Sequence, residues 1–296
     1  MLLLLLLQEN GALSIPDVNV VSHSHRNQEK TVARSYRQVT RLLCWVLTCP
    51  WNHQAKALHV KKTWGKRCNV LLFMSSRRDK SIPTIGIHGQ EGRAHLWHKT
   101  KAAFHYIHKH YLDKADWFLK ADDDTYVVVE NLRYMLFGYD TNKPMYFGHR
   151  FKKLDKKGYM SGGAGYVLSK AALKVFVKNE KKKCSFVNNQ TVEDVSIGKC
   201  LNHLGVRPMD SRDLYTRQRF LPLPAHDHLR NINSSDGWFQ KFTYYPVAWG
   251  IDCCSDYAIS FHYVDPGAMY LYDYLIYHLR PYGLDYLHHP SDAYEQ

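Results

Sequence analysis

Three short apolar runs, set apart by two stretches of helical periodicity, restrict the folds open to this chain more than any other feature. The first is Arg41-Leu42-Leu43-Cys44-Trp45-Val46-Leu47-Thr48, the second is Val70-Leu71-Leu72-Phe73 within Asn69 to Ser75, and the third opens Asp116 to Leu119. Runs of this length without polar alternation belong to strands buried on both faces. Ala57, Val60 and Trp64 recur at helical spacing over Gln54 to Lys66, and Ala94, Trp97, Phe104, Ile107 and Tyr111 over Glu91 to Leu112. Strand, helix, strand, helix, strand predicts an α/β fold with a mainly parallel central sheet flanked by helices. Ligands of such sheets bind beyond the carboxyl ends of the strands.

At that end of the third strand stands Asp122-Asp123-Asp124, with a second apolar run, Tyr126 to Val129, just after it. Adjacent carboxylates repel, and a buried one is costly unless paired or bound to metal. The placement therefore points to an external cation, against the plainer reading of a solvated acidic turn. In strand geometry Asp122 and Asp124 share one side and Asp123 takes the other.

Downstream, Asn131 to Phe137 reads as a helix and Pro144 to Gly148 as a strand. Gly158-Tyr159-Met160-Ser161-Gly162-Gly163-Ala164-Gly165-Tyr166-Val167-Leu168-Ser169 is either a tight packed turn or a place where backbone approaches a ligand closely, and Ser169 suits the N-cap of a helix over Lys170 to Lys178. Thr191 suits the N-cap of a further helix with Glu193 and Asp194 in its first turn. There the two acids either complement the helix dipole or supply a general base. A strand is expected over Tyr257 to Ile259, with His262 shortly after it as a packed polar residue or a ligand, and Pro266 to Arg280 reads as a closing helix.

The chain has 296 residues, 45% hydrophobic, and a formal net charge of +13. Much of the excess sits in short lysine clusters of the kind found in solvated loops, and no nucleic-acid-binding signature accompanies it. Seven cysteines occur without zinc-type spacing. With the sequons at Asn189 and Asn233 they favour an oxidising, secretory compartment. Leu2 to Leu7 is too short an apolar run to span a bilayer and lacks a basic flank. It reads as a weak or truncated signal-anchor, or as an incomplete start of the chain.

The stretch Trp117 to Val127, the glycine-rich stretch Gly158 to Ser169, Glu193-Asp194, Cys253-Cys254-Ser255-Asp256 and Ser260-Phe261-His262-Tyr263-Val264-Asp265, in that order, resemble the core 1 β1,3-galactosyltransferases. These belong to the β1,3-glycosyltransferase family that also holds the Fringe enzymes. The likeness runs from about Arg41 to about Pro281. It implies a GT-A nucleotide-sugar transferase fold as a single domain over 39–285, after an apolar stub and polar stem over 1–38 and before a tail over 286–296. The implied activity is inverting transfer of galactose from UDP-galactose to O3 of N-acetylgalactosamine on Ser or Thr of a glycoprotein. A non-catalytic chaperone-like relative and a Fringe-like β1,3-N-acetylglucosaminyltransferase are the alternatives.

The resemblance also implies roles. Asp122, Asp123 and Asp124 are the donor-binding element. Asp124, Asp122 and His262 are the ligands of Mn²⁺. Asp194 is the general base, with Glu193 its rival. Gly162, Gly163, Trp238 and Tyr245 are acceptor-side candidates, although for Trp238, Tyr244, Tyr245 and Trp249 packing is an equal alternative. Gln240 sits where a Trp is expected. Cys49 replaces a small non-cysteine residue of the family, which makes it the candidate free thiol. Cys44 with Cys68 is the preferred disulfide, and Cys184, Cys200, Cys253 and Cys254 remain to pair. Implied partners are the nucleotide sugar, the glycoprotein acceptor, a dedicated folding chaperone and a second copy of the chain, with no nucleic acid. The implied location is the Golgi lumen, as a type II membrane protein.

Overall fold

A computed structural model describes residues 31–187, 192–230 and 237–282. In chain order the strands are β1 (Leu42–Leu47), β2 (Val70–Ser75), β3 (Thr84–Gly86), β4 (Trp117–Asp122), β5 (Tyr126–Val127), β6 (Met145–Gly148), β7 (Arg150–Phe151), β8 (Tyr159–Met160), β9 (Tyr166–Ser169), β10 (Arg207–Pro208), β11 (Phe220–Leu221) and β12 (Ser260–Phe261). The helices are α1 (31–39), α2 (Leu58–Lys62), α3 (Leu96–Tyr111), α4 (Val129–Leu136), α5 (Lys170–Lys183), α6 (Glu193–His203), α7 (Ala225–Leu229), α8 (Trp238–Phe242) and α9 (Pro266–Tyr277).

The three apolar runs form the centre of a seven-stranded sheet of order β10-β6-β9-β4-β1-β2-β3. Strands β4, β1, β2 and β3 run parallel, and β9 runs antiparallel to both β4 and β6. Their side chains alternate between two cores. Leu42, Cys44, Val46, Trp117 and Leu119 face one, with Trp64, Phe147 and Val167. Leu43, Trp45, Leu47 and Phe118 face the other, with Phe104, Phe176 and Leu201. Burial on both faces is why these strands carry no polar alternation.

A second sheet, β11-β12-β5, stands beside the first. Its middle strand pairs parallel with β11 and antiparallel with β5, the strand just after the acidic triad. The chain thus leaves the large sheet at Asp122, turns through the carboxylates and enters the small sheet at Tyr126.

The helix expected over Gln54 to Lys66 is broken into a π-helical turn over His53–Ala57, α2, and a 3₁₀ turn over Trp64–Arg67, though Ala57, Val60 and Trp64 are buried as the spacing requires. Ser169 caps α5 through a hydrogen bond from Ala172 N, and α5 extends beyond Lys178 to Lys183. Helix α6 begins after Val192, which gives no side-chain cap. Thr191 lies outside the described residues, as do both sequon asparagines and the apolar stub. The strand expected over Tyr257 to Ile259 instead occupies Ser260–Phe261, because Tyr257 sits in a turn closed by Ala258 N donating to Ser255 O.

Disulfides join Cys44 to Cys68, Cys184 to Cys200 and the neighbours Cys253 and Cys254, leaving Cys49 free. The first ties β1 to the turn before β2, and the second ties the end of α5 to α6. No helix among the described residues is long and apolar enough to cross a membrane.

Candidate active site

Asp122 closes β4, and backbone hydrogen bonds fix the turn beyond it. Thr125 N donates to Asp122 O, and Val264 N to Asp124 O. Thr125 Oγ1 donates to Gly163 O at 2.7 Å, and Ser260 Oγ to Ala164 O at 2.6 Å. The triad, the glycine loop and the segment after β12 are thereby laced together although they lie far apart in sequence.

This lacing gathers Asp122, Asp124 and His262 with one ligand atom each inside a 4.8 Å span. His262 Nε2 stands 3.3 Å from Asp124 Oδ1 and 4.0 Å from Asp122 Oδ2. On the other side of the ring, Nδ1 faces the carbonyl of Pro222 at 3.3 Å. A carbonyl only accepts, so Nδ1 donates to it, which leaves Nε2 as the ring nitrogen that faces the carboxylates and the one that would ligate a metal. Two carboxylate oxygens and one imidazole nitrogen fit a divalent cation of the Mn²⁺ type.

Two lysines neutralise the cluster from behind. Lys56 Nζ donates to Asp124 Oδ2 at 3.0 Å, and Lys120 Nζ to Asp122 Oδ1 at 2.6 Å. Burial opposes the charge on Asp124, but His262 and Lys56 outweigh it and hold its pKa down to about 2. Asp123 faces away, as the alternation predicts. Buried at 7% exposure, it accepts from Thr48 Oγ1 at 2.8 Å and Asn52 Nδ2 at 2.9 Å. Burial, with Asp124 and Asp122 adding to it, pushes its carboxyl up to about 6 against those two donors. Asp123 thus anchors the loop after β1 and does not join the metal-type cluster.

Across the glycine loop the two acids of α6 separate into different environments. Glu193 is buried and accepts from Tyr166 Oη at 2.7 Å and Thr100 Oγ1 at 2.9 Å, with Lys120 Nζ 3.9 Å away. Asp194 is partly exposed and accepts from Gly162 N at 3.0 Å and from Val195 N at 2.8 Å. Burial raises the pKa of both, against the Gly162 amide and Lys120 at Asp194 and against Lys120 and Tyr166 at Glu193. Glu193 is spent on its neighbours, while Asp194 is held by backbone and is the accessible acid of the pair.

Gly162 and Gly163 are glycine for steric reasons. A Cβ on Gly163 would fall inside the His262 ring, and one on Gly162 would lie 3.1 Å from Glu193 Oε2 and 3.4 Å from Lys120 Nζ. Trp238 is 52% exposed and edge-on to Phe239 and Phe242. The ring of Tyr245 lies 3.8 Å from the Arg212 guanidinium. Trp238 thereby flanks the cluster of Phe151, Tyr159, Val195 and Phe239, which reaches Asp194 through its neighbour Val195, while Tyr245 meets the ring of Tyr244.

Lys120 is a site residue that the sequence motifs do not single out. It sits inside an apolar run in phase with Phe118 and Asp122, so it points along a buried face. A lysine there requires carboxylates to meet it.

Comparison with known proteins yields several likenesses. Residues 38–263 match the profile of the family described as Fringe-like. The chain is 47% identical over 283 residues to a Xenopus laevis protein named glycoprotein-N-acetylgalactosamine 3-beta-galactosyltransferase 1, covering 95% of this chain and 78% of that one. It is 30% identical over 200 residues to human beta-1,3-glucosyltransferase, covering 62% of this chain and 39% of the relative. A solved glycosyltransferase involved in glycosylation of the major capsid of PBCV-1 aligns at a TM-score of 0.37 with 14% identity, over 57% of this chain and 80% of that one, too distant to carry any argument.

Proposed function

Because this chain belongs to the Fringe-like family of glycosyltransferases, we propose that it is an inverting β1,3-galactosyltransferase moving galactose from UDP-galactose to O3 of N-acetylgalactosamine on Ser or Thr of a glycoprotein. The observation that carries this reading is the Asp122-Asp124-His262 cluster at the carboxyl end of β4, with Asp194 across the glycine loop. The frog relative's name supplies the galactose transferred and the glycoprotein N-acetylgalactosamine that receives it.

Asp122, Asp124 and His262 would hold Mn²⁺, which when bound neutralises the negative charge that develops on the departing UDP. Asp194 takes the proton from the acceptor hydroxyl as its oxygen forms the new bond to the anomeric carbon and the bond from that carbon to UDP breaks. A single base on the face opposite the leaving group accounts for inversion. The Gly162 and Val195 amides each engage one oxygen of Asp194, and each oxygen keeps a further lone pair with which to take the acceptor's proton. Burial lifts the base above an ordinary carboxylate and so strengthens it as a proton acceptor. The surface that carries exposed Trp238 and half-buried Tyr245 receives the acceptor sugar and its peptide.

The three disulfides accord with work in an oxidising lumen, and the reading puts the protein in the Golgi as a type II membrane protein. The deciding experiment measures UDP release and product from UDP-galactose and a GalNAc-peptide with Mn²⁺, then after chelation and after Mn²⁺ is restored. Galactose transfer that stops and returns with the metal is expected. Turnover with UDP-N-acetylglucosamine in place of UDP-galactose would move the donor to the Fringe-like alternative. A folded preparation with no turnover that assists refolding of a related enzyme would make this a chaperone.

A further inference from the structure

We propose that Lys120 is a positioning residue that sets the base Asp194 against the metal-binding carboxylates, acting through the backbone of Gly162. The inference rests on the functional reading above and adds a residue to it. The side chain of Lys120 is 2% exposed, a costly place for an ammonium group unless acceptors surround it. Its two hydrogen-bond acceptors and one further ion-pair partner come from three separate parts of the fold. Asp122 Oδ1 lies at 2.6 Å at the end of its own strand, Gly162 O at 3.0 Å in the loop before β9, and Glu193 Oε2 at 3.9 Å at the start of α6.

The link to the base runs through one residue. Gly162 takes a hydrogen bond from Lys120 on its carbonyl and gives one from its N–H to Asp194 Oδ2 at 3.0 Å. Any shift of Lys120 therefore moves both a carboxylate of the metal-type cluster and the amide that holds the base. Gly162 leaves little room, since a Cβ there would stand 3.1 Å from Glu193 Oε2 and 3.3 Å from Asp194 Cβ. The arrangement is also electrostatic, because Lys120 is the cation shared by Asp122, Glu193 and Asp194. Without it three carboxylates would face one another where an anionic nucleotide sugar has to enter. The core does not require the charge: Phe118, two residues earlier on the same face of β4, fills its position with an apolar ring.

The test is a double-mutant cycle of Lys120→Met with Asp194→Asn, read as kcat and as KM for UDP-galactose at a temperature where circular dichroism finds each variant folded. A positioning role predicts that Lys120→Met lowers kcat by about 10²-fold in the wild-type background, raises donor KM as well because the carboxylates then face the entering nucleotide sugar unneutralised, and costs less than about threefold more in kcat once Asp194 is already Asn. The same kcat loss in both backgrounds would overturn the proposal and reduce Lys120 to support of the fold. If Lys120→Met does not fold, Lys120→Gln enters the same cycle, keeping a donor for Gly162 without the charge, and is judged by the same comparison. A wild-type protein without galactose transfer would sink the proposed function alone. The urea-midpoint cycle of the same variants needs no turnover and still decides the coupling, with additive midpoints overturning it.

Discussion

Gly163 lies directly beneath His262, so closely that a Cβ on the glycine would occupy the space of the imidazole ring. The ring is held on its other flank by Tyr263, whose centroid stands 3.8 Å away and whose backbone takes a left-handed φ of 55°. Gly163→Ala therefore has to displace His262 from Asp124. The expected result is a loss of Mn²⁺ affinity and of activity by about 10²-fold or more, with the melting temperature little altered. Calorimetric Mn²⁺ titration of the variant checks it, and unchanged affinity would mean that the ring has room to retreat.

Asp124→Asn should abolish metal-dependent turnover and lower stability by about 1–2 kcal/mol, because the attraction of Lys56 and His262 outweighs burial and holds the Asp124 pKa down. Urea denaturation beside a turnover assay measures both sides. Retained turnover would remove Asp124 from the metal site.

Asp194→Asn and Glu193→Gln should fail in different ways. The first lowers kcat by about 10²-fold or more with donor binding intact, since it removes only the proton acceptor. The second disturbs a buried carboxylate bonded by Tyr166 and Thr100, and should cost about 1–3 kcal/mol in unfolding free energy. Reversed outcomes would transfer the base to Glu193. Because burial raises Asp194, the acid limb of the rate profile should fall at a higher pH than an ordinary carboxylate gives.

Two buried histidines give the fold a pH dependence of its own. Burial holds His149 down to about 3 and His228 down to about 4, from an ordinary value of 6.5. The folded state thus binds fewer protons than the unfolded chain, so their contribution is complete above pH 6.5. It is lost as pH falls through 6.5 towards 4, by up to about 1.4 kcal/mol per pH unit for each. Asp123, Glu193 and Asp194, raised by burial, act in the opposite sense. The clean readout is therefore the difference in urea midpoint between wild type and His149→Phe from pH 7 to 5. It should narrow as the pH drops, and a constant difference would mean that His149 does not carry the effect.

The central sheet is legible in the sequence because strands buried on both faces cannot alternate, and β1, β2 and β4 spell that out residue by residue. The triad is legible because three carboxylates at a strand end repel one another unless a cation joins them, and the opposite facing of Asp123 agrees with strand alternation although Asp123 and Asp124 lie in the turn beyond β4. His262 can be placed only through the family resemblance, since β12 is two residues long and resembles a loop in sequence. The antiparallel direction of β9 is hidden for a related reason. Pairing is a property of two segments, and Tyr166 to Ser169 carries no mark of which neighbour it will meet. Lys120 is hard to read because a charge inside an apolar run looks like an interruption, although its phase with Phe118 and Asp122 is itself the signal.

The division of the cluster between two sheets also bears on how the protein is made. The ribosome delivers every strand of the large sheet, ending with Arg207–Pro208, before β12 emerges, and the acidic turn must wait for the small sheet to bring its imidazole. Asp273 on α9 arrives later still, and until then Arg67 and Tyr126 lack the carboxylate they share. A product cut short between β10 and β12 would keep the strands of the large sheet and the cysteines of its first two crosslinks, yet leave the acidic turn without its imidazole and the core edge uncovered. Such a chain is one for cellular quality control to remove, because long-range closure comes last in this topology.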